Sequence, residues 1–141
     1  MLREDYLMRL VKQVADFVKR VINTREVEGD NERARDEIQR GYEDLLGLPP
    51  GLSDRLDAAT MATMLRDPDK MRAAAQLSWQ EGHTYKAMRD PLAAFTRYRR
   101  AHELYLEARA LDPQEQDDAA ILELSRLANA RDLDPRYRGE T

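Results

Sequence analysis

Trp79-Gln-Glu-Gly82-His-Thr-Tyr85, followed after Asp90-Pro91 by Ala94-Phe-Thr-Arg-Tyr98-Arg-Arg-Ala101, is the stretch whose reading decides the fold. The small residues Gly82, Ala94 and Ala101 and the aromatics Tyr85 and Tyr98 fall three and four apart, the spacing of one helical face. Between them, Asp90-Pro91 marks a turn and a fresh start. The aspartate accepts from the free N–H groups of the new helix, and proline at its first position sacrifices no bond. Two antiparallel helices in close contact are the expectation for this stretch.

The same punctuation extends outward. Asp-Pro occurs at 67–68, 90–91, 112–113 and 134–135, a spacing of 23, 22 and 22 residues. Shortly before each pair stands an arginine (Arg66, Arg89, Arg109, Arg131), where a cation complements the C-terminus of the preceding helix. Helices are predicted over about 68–89, 91–111 and 114–131. Connections this short make antiparallel neighbours. The last helix begins Asp112-Pro-Gln-Glu115, a capping-box arrangement. Its apolar set, Ala119, Leu122, Leu124, Leu127 and Ala128, is thin and suits a terminal capping helix. Residues 136–141 read as a polar tail.

Towards the N-terminus, Tyr6, Leu7, Leu10, Val11, Val14, Phe17, Val18, Val21 and Ile22 step by three and four, which predicts a helix over about 2–25. The stripe is wide enough for more than one neighbour. Gly29 suits a positive φ after the last turn, and Asp30 or Asn31 can cap the next start. A second helix is predicted over about 32–46, with Ala34, Ile38, Tyr42, Leu45 and Leu46 on one side and Gly41 at a close helix contact. Pro49-Pro50 stops it. Ser53 is read as the cap of a short third helix over about 54–66.

Composition bounds the rest. The chain has 141 residues, 42% of them apolar and 35% charged, which with this periodicity fits an all-α domain with a charged surface. A net charge of -4 weighs against a nucleic-acid partner. The absence of cysteine excludes disulfides, thiolate zinc sites and cysteine nucleophiles, and fits a cytoplasmic location. The acids Glu4 and Asp5 stand where a signal peptide needs basic residues, and no apolar run reaches the roughly 18 residues of a membrane span.

The span Trp79 to Tyr85, with Ala94, Tyr98 and Ala101, resembles one tetratricopeptide repeat. It departs from that pattern in lacking a leucine before Gly82 and in closing late, at Pro113. A degenerate counterpart lies at residues 14–46, where Gly29-Asp30, Ala34, Ile38 and Gly41 mirror the second half of the pattern at an offset of 60. The opening Met1-Leu-Arg-Glu-Asp-Tyr-Leu-Met-Arg9 resembles a bacterial group of short tetratricopeptide-like proteins of unknown function, which implies a fold and no activity. The resemblance implies a right-handed superhelical array of about six helices in one domain, residues 1–135. It would comprise a hairpin over 2–46, a linker helix over 53–66, a repeat-like hairpin over 68–111 and a capping helix over 114–131.

Chemistry is sparsely signalled. His83 and His102 belong to no metal-binding spacing, and no phosphate-cradling glycine motif occurs, so no catalytic residue, metal or cofactor is expected. Arg97, Arg99 and Arg100 point about 100° apart and are expected to pair with acids on a neighbouring helix. Gln76, Trp79, His83 and Lys86, spaced by three, four and three, form a stripe apart from Gly82 and Tyr85. In the tetratricopeptide resemblance this stripe faces the concave groove. It combines an aromatic, two hydrogen-bonding groups and a cation, a mixture suited to holding a peptide. Trp79 has a second reading, as the plug of a helix joint. The expected function is non-enzymatic binding of a protein or peptide, with no nucleic acid or membrane partner. The alternative is an assembly subunit that forms a homodimer through its first helix.

Overall fold

The computed structural model describes residues 2–139, Leu2 in its backbone only; Met1 and the end of the expected tail, Glu140 and Thr141, lie outside them. Among the described residues the chain is all-helical. Six α-helices follow one another: α1 Leu2–Ile22, α2 Asn31–Leu46, α3 Ala58–Leu65, α4 Pro68–Ala87, α5 Pro91–Leu111 and α6 Glu115–Leu124.

The punctuation works as its chemistry demands at two of the four Asp-Pro pairs. The Asp67 carboxylate accepts from the N–H of Asp69 (2.8 Å) and that of Asp90 from the N–H of Ala93 (3.1 Å), opening α4 and α5. At the third pair α6 starts later than expected. Gln114 is the N-cap, and the reciprocal partner is Asp117, whose carboxylate accepts from the Gln114 N–H at 3.1 Å. The fourth, Asp134-Pro135, opens only a single 3-10 turn, Pro135–Tyr137. Arg66 and Arg89 close the preceding helices in the left-handed region, at φ 64 and 62, where glycine is the usual choice.

Three boundaries differ from expectation. First, α1 ends in a π-helical turn, Asn23–Val27, that buries Thr24 and Arg25. Gly29 then takes φ 67 and Asp30 caps α2 through the Arg33 N–H. Second, Ser53 caps nothing. It lies in a 3-10 turn, Ser53–Arg55, buried, with its hydroxyl donating to Gln39 at 2.9 Å; α3 starts at Ala58, where the Asp57 carboxylate accepts from the Thr60 N–H. Third, the capping helix expected to reach residue 131 stops at Leu124. Ser125 turns its hydroxyl back on the Leu122 carbonyl, and Asn129 caps a 3-10 turn, Ala130–Asp132. Both residue types compete with the helical backbone for its own hydrogen bonds. The unwound chain folds back onto α5: Leu133 is buried, and the Tyr137 hydroxyl donates to Glu107 at 2.5 Å, so the start of the expected polar tail packs on the protein.

The α4–α5 hairpin is the most extensive contact in the molecule; α1 and α2 pack on α4, and α6 packs on α5. Its closeness has a local cause. A Cβ on Gly82 would stand 2.5 Å from the Tyr98 ring, so the aromatic lies directly on the glycine backbone. Ala101 in the same hairpin is fully buried, and the atoms nearest Gly82 are those of Tyr98. In the first hairpin Phe17 lies on Gly41 in the same way, at 2.7 Å from a Cβ there.

Candidate functional site

Two of the three clustered arginines and a single buried glutamate join the elements beneath the site. Glu81 has no exposure; it accepts from the Tyr42 hydroxyl (2.5 Å), Arg100 Nη2 (2.8 Å) and Gln39 Nε2 (2.9 Å). Arg100 also donates to Ser78 Oγ and to the carbonyls of Ser53 and Leu56. Arg97 reaches Asp54 at 2.8 Å, and Arg99 pairs with Glu103 at 3.1 Å. Arg97 and Arg100 thus meet Glu81 of the neighbouring α4, at 3.5 and 2.8 Å, as expected, whereas Arg99 pairs within its own helix. Burial and the neighbouring Glu81 carboxylate push the Tyr42 hydroxyl well above the usual phenol range, so it remains a donor. A network this well partnered fixes α2, α4 and α5 to one another.

On the opposite side of α4 the helix is uncovered. Gln76, Trp79 and His83 line a hollow of about 390 Å³ together with Gln80, Tyr105 of α5 and Glu123 of α6. Gln76 and Tyr105 also line a second hollow of about 250 Å³, which continues along α4 past Arg72 and Asp69, with Leu10, Val11 and Val14 of α1 and Gln116 of α6 in its walls. The two hollows make one groove. Its floor is α4; α6 borders both parts, through Gln116 and Glu123, while α1 borders only the part beside Arg72. Lys86, the fourth residue of the expected stripe, is exposed but lines neither hollow.

Each floor residue has a definite setting. Trp79 is half-buried against the core and meets Tyr105 edge to face, with centroids 6.3 Å apart and planes at 88°. It therefore serves the helix joint and the groove at once. His83 Nδ1 lies 2.7 Å from the Tyr98 hydroxyl, so the histidine rests on the same tyrosine that covers Gly82. Burial, Arg25 and Lys86 lower its pKa and keep the ring neutral. Gln80 Oε1 is buried and has no donor. Arg72, the cation at the other end, is saturated: it donates to Asp117 through Nε (2.8 Å) and Nη2 (2.9 Å), to Asp69 (2.9 Å) and to the Asp112 carbonyl. Asp117 itself has no exposure, so this pair pins the start of α6 to α4.

Gln80, Tyr105 and Glu123 were not among the expected groove residues. Gln80 was within reach of helical spacing, being four residues after Gln76; Tyr105 and Glu123 come from other helices, and nothing in the local pattern points to them. The two histidines are held apart by separate partners. His102 is buried, with Nδ1 at 2.9 Å from the Ala128 carbonyl. Among the described residues, no three His, Asp or Glu side chains converge as a metal ion would require, and no helix is long and apolar enough to cross a membrane. Comparison of the chain with models of protein families, with curated proteins and with solved structures finds no significant match to any of them.

Proposed function

We propose that this chain is a non-enzymatic binding module that holds a protein or peptide segment in the groove along α4, within a tetratricopeptide-like right-handed array that α6 and the segment after it cap. The observation that carries this reading is the convergence of Gln76, Trp79 and His83 on one uncovered groove with Gln80, Tyr105 and Glu123. A groove floored by amides and aromatics suits recognition by stacking and hydrogen bonding. The repeat reading draws support from paired features at an offset of 60. Asp30 and Asp90 both cap helices through the N–H three residues on, and Ala34 and Ala94, Ile38 and Tyr98, and Gly41 and Ala101 are all buried.

Selection from a random peptide library on the immobilised chain tests the proposal. Binders should emerge, and Gln76→Arg combined with Gln116→Arg, which narrow the groove from its half-exposed floor and exposed border, should abolish their capture while leaving the melting temperature unchanged. Binders indifferent to both substitutions would remove the groove as the site.

A second reading, homodimerisation through the first helix, rests on α1 alone: Met8 and Val11 are 72% and 63% exposed, more than apolar side chains need be. Light scattering across a concentration series separates the two, since a monomer at every concentration ends the dimer reading.

A further inference from the structure

Tyr105 of α5 is only 6% exposed, and its hydroxyl forms no hydrogen bond among the described residues. Nor is that hydroxyl sealed from solvent, as Gln80 Oε1 is. The charges that act on it are those of Asp117 and Arg72, which places it at the Arg72 end of the groove. Burial and then Asp117 push it above the usual phenol range, against the pull of Arg72, so it remains a donor. A buried phenol ordinarily finds a hydrogen-bond partner. This one meets the hollow of about 250 Å³ instead.

The walls of that hollow specify what would fill it. Leu10 and Val14 of α1 and Ala73 of α4 are buried around it, while Val11 and Gln116 stand exposed at its rim. The charged groups there are already spent on one another: Arg72 donates to Asp69 at 2.9 Å and to Asp117 at 2.8 Å. An entering anion would face Asp69 and find its only nearby cation engaged. An entering cation would lie beside the Arg72 guanidinium, with both carboxylates engaged. Either ion would leave water without a counter-charge, a far larger cost than an uncharged group meets. Size is bounded as well. A cavity of about 150 Å³ holds benzene, so this hollow holds roughly ten non-hydrogen atoms.

We infer that the hollow beside Arg72 binds an uncharged small molecule of roughly ten non-hydrogen atoms, its apolar body lying on Leu10, Val14 and Ala73 and a carbonyl or ether oxygen accepting from the Tyr105 hydroxyl. This goes beyond the peptide reading, since it requires neither Trp79 nor His83 nor the hollow that they line.

The test titrates the intact ¹⁵N-labelled chain with hexyl methyl ketone, octanoate and octylammonium, probes of equal carbon number that differ in charge. The ketone should bind saturably, with shifts centred on the amides of Val14, Ala73 and Gln76. Its affinity should exceed that of either ion at least about tenfold, a difference of 1.4 kcal/mol. Tyr105→Phe removes only the hydroxyl, which has no partner in the protein to lose. That variant should keep the melting temperature and bind the ketone about fivefold more weakly, the share of one hydrogen bond. Undiminished ketone binding by Tyr105→Phe would overturn the role of the hydroxyl. An ion bound as tightly as the ketone would overturn the uncharged class. Ketone shifts missing from the hollow, or gathered around Met8 on the outer face of α1, would mean that the hollow holds water only and would end the proposal. Peptide selection is scored separately: library binders that require Gln76 and Gln116 keep the peptide reading standing whatever the ketone does.

Discussion

Gly82 is the residue on which the central hairpin closes. With the Tyr98 ring lying on its backbone, even one added methyl must displace the ring or part the helices. Gly82→Ala should cost about 1–3 kcal/mol, read as a lower urea midpoint at unchanged slope; a wild-type midpoint would show that the contact is slack. His102 makes a different kind of prediction. Its ring is buried beside the Ala128 carbonyl, and desolvation lowers its pKa below the ordinary 6.5. The unfolded chain then takes up a proton that the native state refuses. The stabilisation is complete above pH 6.5, the ordinary value, and declines as pH falls below it, levelling off once the native ring also protonates. His83, lowered for the same reason, adds in the same direction. Thermal melts at pH 7.5 and 5.5 should show the loss, and His102→Asn, which keeps a donor near the carbonyl but does not titrate, should flatten part of it. An unchanged slope in that variant would assign the loss elsewhere.

At the scale of the elements, the sequence was most legible where one residue pair carries one physical job. Asp67-Pro68 and Asp90-Pro91 start α4 and α5 because a carboxylate and a proline are each suited to a helix N-terminus wherever they sit. The errors arise where a residue had a distant alternative. Ser53 reads locally as a cap, yet its hydroxyl and carbonyl belong to Gln39 and Arg100, partners far along the chain. The end of α6 was misplaced for a similar reason: its apolar residues continue the helical period, but Leu133 and Tyr137 can reach α5 only if the helix unwinds. The Arg72–Asp117 pair ties the start of α6 to α4, and the buried Leu124 anchors its end. Asp117→Asn leaves the buried guanidinium short of its main counter-charge and should cost about 3–5 kcal/mol. Comparing amide exchange in the two proteins checks this. The variant should lose protection first in α6 and the segment after it, and uniform protection would mean that the apolar contacts suffice.

Over the whole molecule, two polar systems divide the labour. The Glu81–Arg100–Tyr42 network is fully enclosed and fastens α2, α4 and α5. The opposite side of α4 carries the amides and rings that remain open. Gln76, Trp79 and His83 fall together on one hollow because a helix projects positions three and four apart on one side. Lys86 continues that spacing but lies past the end of the groove, since groove length depends on where α1 and α6 stop covering α4, and only packing decides that. Tyr105 and Glu123 were illegible for the same reason. The most direct test of the groove is the change in backbone and indole amide resonances of the ¹⁵N-labelled chain on adding a library-selected peptide. The account predicts shifts concentrated between Asp69 and His83, at the Trp79 indole N–H and around Glu123. Shifts confined to the outer face of α1 around Met8, with the Trp79 indole unmoved, would contradict it.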